Sequence, residues 1–172
     1  DISMYRYVKY QEHAFLLLAE EAKTYLEVLN FRHTEKIGLE IKCEAQENRL
    51  YMPQFILQPI MENSVIHGFE DGSHGFSIRI RAFCREEKLL LYVQDNGKGM
   101  DEQELELLRE SMERTETEEG SIGLANVHQR IRLFYGEEYG LRINSRAEFG
   151  TEVEISLPVR YQSENMEGNR EE

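Results

Sequence analysis

An α/β fold is expected from two periodicities that take turns along the chain. Apolar residues recur at every second position in residues 39–43, 76–84 and 153–157, the mark of half-buried strands. Between and around those runs they recur every third or fourth position, the mark of amphipathic helices. The strands fall in close pairs with the helices gathered between them. That order predicts a two-layer α/β sandwich with a mixed, mostly antiparallel sheet and helices on one face. A length of 172 residues suits one domain with its own core plus helical or tail material.

Residues 3–33 contain no Gly or Pro, and Val8, Phe15, Ala22 and Leu29 recur every seven positions, predicting a long helix. It either packs on its own domain or ends a dimerisation or linker helix, and a break near residues 11–13 would allow both. Gly38 opens a strand in which Leu39, Ile41 and Cys43 alternate with Glu40, Lys42 and Glu44. Pro53 suits the first position of the next helix. There Ile56, Leu57, Ile60, Met61 and Val65 form the apolar stripe, Asn63 lies on an adjoining face, and Gly68 reads as the stop. Pro59 within it predicts a kink or a late start, because proline has no N–H to donate.

Two strands follow, over residues 76–84 and 89–95, the second nearly continuous in apolar residues, as a central strand should be. Asp101 and Glu104 match a capping box that opens a helix with Leu105, Leu107 and Leu108. Residues 109–120 turn polar and acidic and are expected to form a mobile lid. Ser121 caps a further helix with Leu124, Val127, Ile131 and Phe134 on its stripe, and Gly136 stops it. Leu141 and Ile143 mark another strand, and Val153, Ile155 and Leu157 the last, closed by Pro158. Residues 161–172 are expected to be a disordered polar tail.

The net charge of −13 argues against a nucleic-acid-binding surface, which normally carries a basic stripe. A nucleotide site needs only local donors and is compatible with it. Cys43 and Cys84 occupy apolar strand positions and read as buried thiols in a reducing compartment. No apolar run approaches the ~18 residues of a membrane span, and no signal peptide is visible.

Four segments place special residues at element ends, where sites are usually built. Asn63 offers a neutral amide oxygen, a hard ligand suited to Mg²⁺, although an asparagine on a helix is often only a surface residue. Asp95, in Asp95-Asn96-Gly97-Lys98-Gly99, is an acceptor that suits the exocyclic amine of adenine, and Gly97 and Gly99 let backbone approach a flat base. Taken alone, the same run is a strand-to-helix turn. Gly120-Ser121-Ile122-Gly123-Leu124-Ala125-Asn126 lies at a helix start, where free amides and the helix dipole favour polyphosphate; the bland reading is a hinge. Gly150-Thr151 opens the last strand.

In order and spacing these segments resemble the ATP-binding domain of the GHKL superfamily, which has the Bergerat fold. The nearest resemblance is to the sensor histidine kinase branch often called the LytS/YesM type. The N box corresponds to Leu57-Gln58-Pro59-Ile60-Met61-Glu62-Asn63-Ser64-Val65-Ile66-His67-Gly68, and the glycine boxes to residues 95–99, 120–126 and 150–151. Tyr25-Leu26-Glu27-Val28-Leu29-Asn30-Phe31-Arg32, Arg130 and Tyr135-Gly136 match the same branch. The resemblance covers most of residues 15–160. It implies ATP and Mg²⁺ as cofactors, with Asn63 on the metal and Asp95 on adenine. Gly97, Lys98, Gly99, Gly120, Ser121, Ile122, Gly123, Leu124, Asn126, Arg130 and Thr151 would surround the nucleotide. Glu62 and His67 join Asn63 as candidate catalytic residues.

The resemblance further implies transfer of the γ-phosphoryl group to a histidine on a dimerisation helix, then relay to a response regulator. Hydrolysing relatives carry a glutamate where this chain has Pro59, which favours transfer to protein over hydrolysis. Ile66 replaces a lysine that many relatives place near the phosphates, and Ser121 replaces a glycine. No Pro-His-Phe-like acceptor motif is present, and the chain begins with Asp1, so the acceptor helix is expected upstream. Residues 1–33 then read as the end of the dimerisation or linker region, 34–160 as the ATP-binding domain and 161–172 as the tail. The expected setting is the cytoplasmic part of a homodimeric, membrane-anchored sensor, held to the membrane by upstream segments alone. His13 does not stand in an acceptor-like context, and His33, His74 and His128 read as surface or packing residues. The alternative is a degenerate nucleotide-binding or interaction module without kinase activity, suggested by Ile66 and Ser121.

Overall fold

The computed structural model describes residues 12–33, 36–43, 50–53, 56–70, 75–114 and 122–160. Its centre is a five-stranded sheet. In chain order the strands are β1 (Glu12–Ala14), β2 (Gly38–Cys43), β3 (Tyr51–Pro53), β4 (Ser77–Arg85), β5 (Lys88–Asp95), β6 (Gly140–Arg146) and β7 (Gly150–Pro158). The helices are α1 (Phe15–Arg32), α2 (Leu57–Gly68), α3 (Glu102–Glu113) and α4 (Ile122–Tyr135). The main sheet has the order β2-β4-β5-β7-β6; β2 pairs with β4 in parallel, and every other pairing is antiparallel.

Register follows from the alternation in the sequence. Ile78 and Ile80 of β4, Leu89, Leu91 and Val93 of β5, and Val153, Ile155 and Leu157 of β7 are all buried on one face. Ile60, Met61, Leu124, Val127 and Ile131 cover them from the helices. The opposite face carries Arg79, Arg81, Tyr92, Arg142 and Glu154, with the Tyr92 hydroxyl donating to Glu154 Oε2 at 2.7 Å and Phe83 stacked on Tyr92. A sheet with one apolar and one polar face needs one layer of helices, and the chain supplies one layer.

Several expectations are corrected. The helix begins at Phe15: residues 12–14 pair antiparallel with residues 51–53, and the Phe15 N–H donates to the Leu50 carbonyl at 3.0 Å. Residues 1–11 lie outside the described set, so the predicted helix from residue 3 holds only from Phe15 to Arg32. Pro53 ends strand β3 instead of opening a helix. Of the kink or late start expected from Pro59, the late start is found: α2 begins at Leu57 and places Pro59 in the first turn, where an N–H has no intrahelical partner anyway. Cys43 and Cys84 are only half-buried.

Other readings hold. Asp101 Oδ1 accepts from the Glu104 N–H at 2.8 Å, and Glu104 Oε2 accepts from the Asp101 N–H at 3.0 Å, completing the capping box. Gly136 stops α4 with a φ of 112°. The lid expected over residues 109–120 is corrected at its start, where residues 109–113 continue α3; residues 115–120, the cap at Ser121, His74 and the tail at 161–172 lie outside the described residues.

Candidate functional site

Strand β5 ends on Asp95, where three segments of the chain converge. Asp95 is only 7% exposed. Its Oδ1 accepts from the Gly97 N–H at 2.9 Å and from the Thr151 N–H at 3.3 Å, and the Ser64 hydroxyl also hydrogen-bonds the carboxylate. Burial pushes its pKa above the ordinary carboxylate value, and the Gly97, Ser64 and Thr151 donors only partly offset that. The three donors come from the loop after β5, from α2 and from β7, so one carboxylate ties three segments together.

Glycine is required here by the chain's own backbone. A Cβ on Gly97 would stand 2.5 Å from the Gly68 Cα, and one on Gly99 would run into the Arg146 carbonyl. The Lys98 N–H donates to the Gly68 carbonyl at 3.3 Å, and the Glu148 N–H to the Lys98 carbonyl at 2.7 Å. The loop after β5 is thus clamped between the end of α2 and the β6–β7 hairpin. Gly68 is the last helical residue of α2 rather than a left-handed stop. Its missing side chain makes room for Asp95 Oδ1, which a Cβ would approach to 3.1 Å.

Helix α2 forms a wall leading away from that corner. Ser64 reaches Asp95, while the Pro59 carbonyl lies 3.7 Å from where a Cβ on Gly123 would stand, near the start of α4. Ser64 stands five positions after Pro59, about 7.5 Å along the helix. Half-buried Asn63 lies between these two contacts. One end of the wall therefore offers a buried acceptor and the other a helix start, the complements of an amine-bearing base and an anion.

The remaining predicted residues distribute as follows. Asn126 is exposed, Leu124 is buried in the core, and Arg130 is half-buried, one turn after Asn126 on the same face of α4. Gly120 and Ser121 lie outside the described residues, as does the side chain of Ile122. Lys98 belongs to the Asp95 end of the wall, its Nζ 4.0 Å from Glu70, and not to the end where α4 starts. Glu62 turns toward Gln58, whose Nε2 donates to it at 3.3 Å, and toward Tyr25 of α1, so it is not gathered with Asn63 and Asp95. His67 is exposed in the last turn of α2, and Ile66 beside it is 71% exposed.

Two serines were not legible as site residues. Ser64 is 4% exposed on the N-box helix, and Ser145 on β6 bonds Met100, Gly150 and Thr151. The alternation and stripes that mark apolar positions carry no signal for a hydroxyl facing inward. His128 is buried and structural. Its Nδ1 accepts from the Leu141 N–H at 2.9 Å, which leaves Nε2 to face Glu113 at 3.4 Å. Burial lowers its pKa below the ordinary histidine value; Glu113 opposes that shift and Arg132 adds to it.

A polar cavity of ≈ 240 Å³ opens beside the loop after β5, lined by Gly68, Asn96, Gly97 and Lys98 among others. A larger groove of ≈ 520 Å³ lies between α1 and β2, and no sequence-predicted site residue lines it. Among the described residues, no three His, Cys, Asp or Glu side chains converge as a metal cluster. A single amide beside phosphate oxygens, the arrangement the donor set fits, requires no such cluster.

Residues 48–161 match the family model described as histidine kinase-, DNA gyrase B- and HSP90-like ATPase. The sensor histidine kinase YesM of Bacillus subtilis (strain 168) is 33% identical over 142 residues, which make up 83% of this chain and 23% of that protein. The sensor protein kinase HptS of Staphylococcus aureus is 28% identical over 135 residues, 78% of this chain and 26% of that protein. The chain thus spans about a quarter of the length of these relatives. Among solved structures, the catalytic domain of histidine kinase ThkA superposes with a TM-score of 0.65 at 17% identity, covering 86% of this chain and 95% of that one. The mycobacterial sensor histidine kinase MprB gives 0.57 at 20% identity, covering 88% and 98%.

Proposed function

Because the chain belongs to the histidine kinase-, DNA gyrase B- and HSP90-like ATPase family, we propose that it is the ATP-binding catalytic domain of a sensor histidine kinase. It would pass the γ-phosphoryl group of Mg-ATP to a histidine on a dimerisation helix outside this chain, for relay to a response regulator. The observation that carries this reading is the buried Asp95 carboxylate at one end of the α2 wall, with the start of α4 at the other. An adenine amine suits the first and phosphates suit the second.

In this reading Asp95 accepts from the base, and Thr151 helps to hold it. Asn63 is the metal ligand, and Gly123, Asn126 and Arg130 face the phosphates, with Gly120, Ser121 and Ile122 leading into them. Asn63 would hold the Mg²⁺, which would supply positive charge against the charge that builds up during transfer. The protein's own task is to orient nucleotide and metal, since phosphoryl transfer asks little covalent chemistry of it. Pro59 faces α4 where hydrolysing members of the superfamily place a glutamate, which supports transfer over hydrolysis.

A ligand that binds only the folded state raises its apparent stability. Millimolar Mg-ATP is therefore expected to raise the melting temperature of the wild-type chain, with the magnesium-dependent part lost in Asn63→Ala. No shift for the wild type would sink the reading. It would favour the interaction-module alternative, for which the exposed Ile66 is the motivating observation.

A further inference from the structure

One hydroxyl near Asp95 has all its hydrogen-bonding capacity committed, and this fixes the polarity of its neighbour. Ser145 Oγ lies 2.9 Å from the Met100 nitrogen, 3.0 Å from the Gly150 carbonyl oxygen and 2.7 Å from Thr151 Oγ1. A serine hydroxyl has one proton to donate and two lone pairs to accept with. The Met100 N–H can only donate, and the Gly150 carbonyl can only accept. The Ser145 proton therefore points at Gly150, one lone pair takes Met100, and the other takes the proton of Thr151. Thr151 gives up its single proton inward and turns only lone pairs outward. Its backbone N–H is committed too, to Asp95 Oδ1 at 3.3 Å.

We propose that Ser145 is a specificity-determining positioning residue that selects adenine by holding the Thr151 hydroxyl as an acceptor. This inference rests on the nucleotide-binding reading above. With Asp95 and Thr151 both accepting, directly or through a water, the base end of the site demands donors. The exocyclic amine of adenine supplies them. A carbonyl at the same position, as in hypoxanthine or guanine, would meet oxygen lone pairs with nothing to share. Sites that hydrogen-bond a specific substrate group discriminate strongly because a mismatched partner leaves buried polar atoms unpaired. Ser145 itself need not touch the nucleotide; it acts through Thr151.

The test compares affinities for ADP and inosine diphosphate by calorimetry in the wild-type chain, Ser145→Ala, Ser145→Thr, Thr151→Val and the Ser145→Ala/Thr151→Val double variant. The wild type should prefer ADP. Ser145→Ala should reduce that preference about tenfold or more, and Ser145→Thr, which keeps a hydroxyl, should retain it. The double variant should discriminate no worse than Thr151→Val alone, because one substitution acts through the other. An unchanged ADP preference in Ser145→Ala, or fully additive losses, would overturn the inference, since a merely structural Ser145 lowers both affinities alike. If Ser145→Ala fails to fold, Thr151→Ser against Thr151→Val decides: the preference should survive in the first and collapse in the second, and survival in both overturns it. A wild type that binds neither nucleotide overturns the nucleotide reading and this inference together. A wild type that binds ADP with its preference untouched by these variants overturns this inference alone.

Discussion

Asp95 meets two conflicting demands, and the conflict makes a prediction. As an acceptor it suits an amine, but as a buried charge it costs stability, which is why its pKa is raised. Between the unfolded value of 3.8 and the raised folded value, the folded state binds more protons than the unfolded one. The stability due to that proton is full below 3.8 and is lost as pH rises through the folded pKa. Asp95→Asn removes the charge while its Oδ1 can still accept from Gly97 and Thr151, and the Ser64 hydroxyl can turn to accept from the new amide. The variant should melt at or above the wild-type temperature at pH 7, with the difference shrinking as pH falls toward 4, and should lose the Mg-ATP shift. Paired melts over that pH range check this; a clearly lower melting temperature for the variant at pH 7 would contradict it. The identity of Asp95 was readable from its place at a strand end before two glycines. The balance that tunes it was not, because burial raises its pKa while donors distant in sequence on each side, Ser64 and Thr151, oppose that rise.

At the scale of elements, local chemistry was legible wherever the signal is local. The α3 capping box was written in Asp101 and Glu104 three residues apart, and both reciprocal bonds form. Asp101→Ala should therefore destabilise the fold by about 1 kcal/mol, with little change in nucleotide affinity, since α3 packs against α4 and β6. Denaturant titration and the Mg-ATP melt together test this, and a large loss of nucleotide binding would contradict it. Strands β1 and β3 were not legible. Each has only three residues, too few for an alternation to register, and their pairing joins segments almost forty residues apart. The same pairing explains why a helical pattern that runs through residues 3–33 starts at Phe15, and why Pro53 closes a strand. Pro59 was legible by contrast: of the kink or late start it called for, the late start is found, and α2 begins only at Leu57, late enough to leave Pro59 harmlessly in the first turn.

At the scale of the molecule, a single layer of helices on a mixed sheet brings the end of β5, the length of α2 and the start of α4 to one side. The sheet alternation made that architecture legible. The clamping of the loop after β5 was not, because Gly97 against Gly68 and Gly99 against Arg146 are backbone contacts that no side-chain pattern encodes. The central claim is that nucleotide lies along α2 with its base at Asp95 and its phosphates at α4. Backbone amide NMR during titration with Mg-ADP tests that placement directly. The account predicts concerted shifts at Gly97, Thr151, Asn63 and Gly123, with Leu39 and Ile41 in the α1–β2 groove and Arg142 on the open sheet face unmoved. Shifts confined to the α1–β2 groove, or none at saturating Mg-ADP, would contradict it.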